Sequence, residues 1–248
     1  MMFEFGAGEK STAKENKVFI SHEKLVKFNY LIFLDSRGLS IDSGSQSDTF
    51  LIKLKEYLGV NSLTYLAVSR PKYLTVFASL YNFLKNNTAY KFDWLITNLG
   101  FVDMTPKKKD NIEDILSQVR QFCESKCKTI EHDNYLLSDG SYEKLKSIEY
   151  PDEYTARISD LLSKRFKKTY FINTPTVSSN IGLKRERPSS FFNQLPKTNE
   201  MIESIRHLNV KCHSIIDIRN LTMTYDGVHF NKKGHSNIFE KIKTHIDM

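Results

Sequence analysis

The sequence predicts an α/β protein in which a five-stranded parallel sheet is covered by helices on both faces. Five short apolar segments are typical of strands that are buried on both sides. Segments with apolar residues at helical spacing separate them, and this alternation predicts right-handed βαβ units. The predicted strands are Tyr30–Leu34, Leu63–Val68, Phe92–Ile96, Thr169–Ile172 and Ser214–Ile218.

The predicted helices follow these strands in order. In the first of them, apolar residues at positions 50, 51, 54 and 58 form one face, and Pro71 suits the first turn of the second. The predicted helices are Thr49–Leu58, Pro71–Lys85, Asn111–Cys123, Asp152–Phe166, Asn199–Leu208 and Gly234–Ile246. Residues 128–150 are too polar to assign, and residues 176–196 are predicted to be a long loop, a feature that is often functional.

Composition excludes several classes of protein. The 248 residues are 40% hydrophobic and 26% charged, which is typical of a soluble globular domain. No apolar run approaches the roughly 18 residues of a membrane-spanning helix. We expect residues 1–17 to be a flexible arm and residues 18–248 to be a single domain. Three cysteines without a disulfide pattern, and no apolar leader segment, predict a cytoplasmic protein.

The net charge of +7 would suit a nucleic-acid partner. However, the basic residues are scattered and are not interleaved with aromatic residues. We therefore expect a solvated basic surface and no nucleic-acid partner; the oligomeric state stays open.

A serine lies where a parallel sheet places its ligands. Ser36 directly follows the first predicted strand, and ligands bind at the carboxyl ends of such strands. A serine hydroxyl is a poor nucleophile unless a base takes its proton. The segment after the last strand supplies both an imidazole, His229, and a carboxylate, Asp226, that could orient it.

These residues resemble the first and last sequence blocks of the SGNH (GDSL-type) hydrolases. The resemblance rests on Leu34-Asp35-Ser36 and on Asp226-Gly227-Val228-His229, and in block order it covers about residues 28–246. It implies a flavodoxin-like, three-layer α/β/α sandwich. It also implies that Ser36 is the nucleophile, His229 the base and Asp226 its orienting acid.

The middle blocks depart from the family pattern. Arg70 replaces the glycine whose backbone N–H joins the oxyanion hole, and the third block reads Gly100-Phe101-Val102-Asp103. Val102 occupies the position of the oxyanion asparagine but has no donor. Asn98, near Gly100, is a candidate replacement. Arg37 either binds an anionic group of the substrate or pairs with a nearby carboxylate.

The predicted function is a serine-dependent ester hydrolase or O-acyltransferase. By family analogy the substrate is a small-molecule or glycan ester carrying a small acyl group, and transfer would require an acyl donor. No cofactor or metal is expected. The altered middle blocks leave open a catalytically weak or inactive binding protein with the same fold. Phe191 and Phe192 either line a substrate pocket or pin the long loop to the core.

Overall fold

A five-stranded parallel sheet forms the centre of the protein. The computed structural model describes residues 27–39, 42, 44–59, 62–66, 75–88, 90–136, 142–177, 188–220 and 224–247. The strands of this sheet are β1 (Lys27–Leu34), β2 (Ser62–Leu66), β3 (Lys91–Thr97), β7 (Lys168–Ile172) and β8 (His213–Ile216). Three further strands, β4 (Lys107–Lys108), β5 (Lys128–Leu136) and β6 (Tyr142–Glu149), belong to a second sheet. Their order is β2-β1-β3-β7-β8, and every pairing is parallel. The predicted α/β class and the five parallel strands are therefore confirmed, whereas the predicted arm at residues 1–17 lies outside the described residues.

Helices cover both faces of this sheet. On one face lie α1 (Phe50–Leu58) and α7 (Lys232–Ile246). The other face carries α2 (Val76–Asn86), α3 (Phe101–Met104), α4 (Ile112–Val119), α5 (Asp152–Arg165) and α6 (Ser189–Leu208). Among the described residues, no helix combines the length and apolar character needed to cross a bilayer.

Strand β1 shows why its sequence is continuously apolar. Leu31 and Phe33 pack into the core beneath α2, α5 and α6, while Ile32 and Leu34 pack into the core beneath α1 and α7. All four side chains are fully buried. A strand covered on both faces has no exposed position, so the usual alternation with polar residues is absent.

A second, antiparallel sheet occupies the region that the sequence left unassigned. It contains β4 (Lys107–Lys108), β5 (Lys128–Leu136) and β6 (Tyr142–Glu149) in the order β4-β6-β5. Its strands carry charged side chains outward, as in the 2.6 Å contact between Lys144 and Glu131. The β5–β6 register also shifts between Glu131 and Asn134. Such strands bury few apolar residues, so their pattern resembles that of a polar loop.

Helix α6 corrects the predicted loop at residues 176–196. The helix already begins at Ser189, although residues 178–187 lie outside the described part of the chain. The sequence predicts a loop here because Pro196 removes a helical hydrogen bond and normally ends a helix. Here Phe191 and Leu195 are buried, and packing of this first part of the helix overrides the proline. Phe191 lies edge-on to Phe101, at 5.6 Å between ring centroids, so it pins this segment to the core.

The strand order fixes where a ligand site is expected. The chain moves from β1 outward to β2 and then returns to β3 on the other side of β1. The crevice between the carboxyl ends of β1 and β3 is thus a topological switch point, where open α/β sheets bind ligands. Residues 35–38 and 98–100 lie at these two strand ends.

Candidate active site

Ser36 begins a short 3₁₀ turn at the carboxyl end of β1. The turn covers Ser36–Gly38 and is closed by the Gly38 N–H, which donates to the Asp35 carbonyl at 3.1 Å. The Asp35 carboxylate caps the turn by accepting the Arg37 N–H at 2.9 Å. This tight turn fixes Ser36 at the switch point between β1 and β3.

The segment between β8 and α7 forms a small loop around Asp226. Thr224 and Phe230 close it with an antiparallel bridge. Inside it, Asp226 Oδ1 accepts the backbone N–H groups of Val228 at 3.1 Å and His229 at 2.8 Å. Gly227 has a φ of 81°, a left-handed conformation that favours glycine. Local hydrogen bonds thereby hold the Asp226 carboxylate beside the backbone of His229.

The structure brings Ser36, His229 and Asp226 into one chain of contacts. Ser36 Oγ lies 3.2 Å from His229 Nε2. On the other side of the ring, His229 Nδ1 lies 2.9 Å from Asp226 Oδ2. When Nδ1–H donates to the carboxylate, Nε2 keeps its lone pair and can accept the serine proton. Asp226 is buried, whereas His229 is only half-buried and is reachable by a substrate.

Tyr225 is a further neighbour of His229 that the sequence did not indicate. Its ring is nearly parallel to the imidazole, with an interplanar angle of 22° and 5.9 Å between ring centroids. The Tyr225 N–H also donates to the His229 carbonyl at 3.0 Å. Residues of one small loop therefore support the imidazole from the side. No spacing rule singles out this tyrosine, because its position depends on the bridge that closes the loop.

Arg37 and Asn98 lie beside Ser36, but their side chains form hydrogen bonds with Asp35. Arg37 Nε donates to both carboxylate oxygens of Asp35, at 3.1 and 3.0 Å, and Arg37 Nη2 donates to the Asn98 carbonyl. The Asp35 N–H donates to Asn98 Oδ1 at 2.8 Å, and Asn98 Nδ2 donates to Asp35 Oδ1 at the same distance. Of the two interpretations of Arg37, the structure shows the pairing with a carboxylate, in a site where Arg37 is only 1% exposed. The guanidinium also lies over the Phe101 ring, 4.5 Å from its centroid.

The residues of the third block form α3 and its cap. Gly100 precedes the helix with a φ of 103°, and a Cβ at this position would lie 3.0 Å from Met201 Cε. Val102 is 6% exposed and belongs to the hydrophobic core. It therefore takes no part in an oxyanion site. Arg70, the candidate from the second block, lies outside the described residues.

Asp103, the last residue of that block, has a structural environment of its own. Its carboxylate accepts the N–H groups of Val76 and Phe77, each at 3.4 Å, and so caps the start of α2. Burial raises the pKa of Asp103 to about 6, although these hydrogen bonds and the nearby Lys107 oppose the shift. Burial likewise lowers the pKa of Lys107 to about 8. Asp103 thus links α3 to the start of α2.

Within the described part of the chain, no group of three or more histidine, cysteine or carboxylate side chains is placed to hold a metal ion.

Comparison with known proteins relates the fold to that of ester hydrolases. No protein-family model matches the sequence, and no curated protein matches it in sequence. Among solved structures, a provisionally assigned arylesterase from Agrobacterium tumefaciens str. C58 is 13% identical, with a TM-score of 0.51 over 89% of this chain and 98% of its own. This likeness establishes the fold alone, and it confirms the α/β/α architecture that the sequence resemblance implies.

Two further structures overlap the same share of both chains. The aryl esterase of M. smegmatis is 12% identical, with a TM-score of 0.49. A carbohydrate acetylesterase family member from Sinorhizobium meliloti is 13% identical, with a TM-score of 0.48. Each covers 89% of this chain and 98% of its own.

Proposed function

We propose that this chain is a serine-dependent acyl-ester hydrolase or O-acyltransferase acting on a small acyl group of a carbohydrate-type ester. The observation that carries the proposal is the unbroken contact chain of 3.2 Å from Ser36 to His229 and 2.9 Å from His229 to Asp226. These distances suit a hydroxyl, a base and an orienting acid that act in sequence.

The reaction begins when Ser36 Oγ attacks the ester carbonyl while His229 Nε2 takes the hydroxyl proton. Asp226 stabilises the resulting imidazolium and keeps the ring in the required tautomer. The tetrahedral intermediate collapses as the C–O bond to the alcohol breaks and His229 gives its proton to the departing oxygen. An acyl group is then bound to Ser36 Oγ.

The second half of the reaction decides between hydrolysis and transfer. Either water or an acceptor hydroxyl loses its proton to His229 and attacks the acyl carbonyl. The bond to Ser36 Oγ then breaks, and His229 returns the proton to the serine. Water yields a carboxylic acid, whereas a sugar hydroxyl yields a new ester.

The backbone N–H groups of Ser36 and Arg70 are the proposed oxyanion donors. Val102 lies in the core and has no donor, and the side chain of Asn98 is bonded to Asp35. Loss of a single oxyanion donor typically lowers kcat by about 10²–10³. We therefore expect slow turnover compared with a site that has three donors.

The buried position of Val102 also supports a second candidate, a binding protein that keeps the fold but has little or no catalytic activity. Such a protein would hold an ester or glycan without cleaving it. Acyl-group turnover separates the two candidates.

The test is product analysis with p-nitrophenyl acetate, in the presence and absence of a hexose acceptor. Turnover that disappears in Ser36→Ala supports the enzyme, with acetate alone indicating hydrolysis and an acetylated hexose indicating transfer. Equal rates in the wild type and in Ser36→Ala would contradict the proposal. Absence of turnover in a well-folded wild type would favour the binding protein.

A further inference from the structure

A cavity of about 380 Å³ lies apart from Ser36, His229 and Asp226, none of which line it. It is lined by residues of α3, of the antiparallel strands β5 and β6, and of α5 and α6. Its volume falls within the range of roughly 300–1,000 Å³ that is usual for small-molecule sites. The proposed ester chemistry makes no use of it.

The floor of the cavity is apolar. Met104 and Met201 line it together with Ile130 and Ile148, and of these both methionines and Ile148 are buried. Methionine side chains adapt to ligands of irregular shape and contact aromatic rings favourably. This floor can therefore hold the apolar body of a small ligand.

Gln194 adds a polar group to this lining. Its side chain is 2% exposed and borders the cavity, and among the described residues its carboxamide has no hydrogen-bond partner. The carboxamide is not among the described buried polar atoms that lack both a partner and contact with solvent, so it keeps access to water in the cavity. Gln194 Oε1 is thus an acceptor available to a group inside the cavity.

The rim carries an excess of negative charge. Glu149, Asp152 and Glu200 contribute three carboxylates, against the single ammonium of Lys197. Within the described part of the chain, none of these four side chains forms an ion pair with another residue. A net charge of −2 at this mouth contrasts with the chain's overall +7, and it concentrates small cations from solution.

We propose that this cavity binds a small organic cation. The apolar body of the ligand lies on the methionine and isoleucine floor. Its ammonium group lies among the rim carboxylates and donates a hydrogen bond to Gln194 Oε1. The rim charge selects an amine over an uncharged molecule of the same shape.

The experiment is an NMR titration of the full chain, in which the methyl groups of all six methionines are labelled with ¹³C. Benzylammonium is titrated, with benzyl alcohol as the uncharged control, and the resonances are assigned with Met104→Leu and Met201→Leu. We expect the Met104 and Met201 methyl signals to shift and saturate with benzylammonium, with a Kd of about 1 mM or tighter. Benzyl alcohol should bind at least about tenfold more weakly.

Variants test each part of the site. Glu149→Gln combined with Glu200→Gln should weaken benzylammonium binding about tenfold, whereas Lys197→Gln should strengthen it. Gln194→Leu should weaken binding about fivefold, because the ligand loses its hydrogen bond to the carboxamide, while the thermal stability stays close to that of the wild type. Ser36→Ala should bind as the wild type does.

Three results would overturn the proposal. The first is an absence of shifts at Met104 and Met201 at saturating benzylammonium. The second is equal or tighter binding of benzyl alcohol, which would identify a site for uncharged ligands. The third is weaker binding in Lys197→Gln.

Discussion

Removing the guanidinium of Arg37 should strongly destabilise the protein. Arg37 and Asp35 form an ion pair whose side chains are 2% and 1% exposed. Breaking a buried pair by removing one partner leaves an uncompensated charge and typically costs about 3–5 kcal/mol. In Arg37→Met, the Asp35 carboxylate still accepts the backbone N–H of residue 37 and the side-chain amide of Asn98. These two bonds place the expected loss at the lower end, about 3 kcal/mol, or roughly 6–12 °C in Tm for a chain of this length.

A second variant separates loss of the pair from loss of packing. Asp35→Asn combined with Arg37→Met removes both charges, while a carboxamide at position 35 can still accept the turn N–H. Since a buried ion pair contributes little net stability over a neutral replacement, we expect the double variant to lie within about 1 kcal/mol of the wild type.

The chain contains a matched control in Asp217 and Arg219. This pair has the same spacing, and Arg219 Nε is likewise bonded to both Asp217 oxygens. Its side chains, however, are 44% and 46% exposed. Arg219→Met should therefore cost less than about 1 kcal/mol.

The assay is denaturant unfolding followed by far-ultraviolet circular dichroism and by fluorescence of Trp94, the single tryptophan. Coincident curves from the two probes establish a two-state transition. The reasoning is refuted if Arg37→Met costs no more than Arg219→Met, or if the double variant is as unstable as Arg37→Met.

Three further predictions concern stability. Because burial raises the pKa of Asp103 from 3.8 to about 6, the folded protein holds this proton more tightly than the unfolded chain. The stability of the wild type relative to Asp103→Asn should therefore be greatest below about pH 4 and fall as the pH rises through about 6, as measured by urea unfolding at each pH; a constant difference would contradict this. Gly100→Ala should lower the Tm more than Gly59→Ala does. Both glycines have a positive φ, but a Cβ at Gly100 would lie 3.0 Å from Met201 Cε, whereas a Cβ at Gly59 would meet nothing within 4 Å. Equal losses in Tm would show that the close contact is unimportant. His235→Leu should lower the free energy of unfolding by about 1–3 kcal/mol, as measured with denaturant, because Nδ1 of the fully buried His235 accepts the Phe50 N–H at the start of α1. A loss below about 0.5 kcal/mol would contradict this role as a helix cap.

The parallel sheet was predictable from sequence because burial on both faces leaves a simple signal. Each of its strands contains an apolar run, and the turns follow directly. The antiparallel sheet was not predictable, since β5 and β6 place charged residues outward and the register shifts between Glu131 and Asn134. The start of α6 was missed because Pro196 argues against a helix, whereas burial of Phe191 and Leu195 stabilises it.

The sequence likewise predicted some residues of the candidate site and not others. Ser36, Asp226 and His229 could be proposed from chain order and strand context, and they lie in contact. The surroundings of Asn98 could not be anticipated, because its bonds to Asp35 depend on the pairing of β1 with β3. The side chains of Asn98 and Arg37 both bond to Asp35 and so hold the turn around Ser36.

The most direct test of the central claim is covalent labelling by a fluorophosphonate, with the modified peptide identified by mass spectrometry. The activated hydroxyl of Ser36 should react in the wild type. It should react equally in the control variant Ser45→Ala, which removes an exposed serine at the start of the turn Gln46–Asp48. Labelling should disappear in Ser36→Ala and fall steeply in His229→Ala, because the hydroxyl then has no base. Labelling that stays unchanged in His229→Ala, or modification at another residue, would contradict the account.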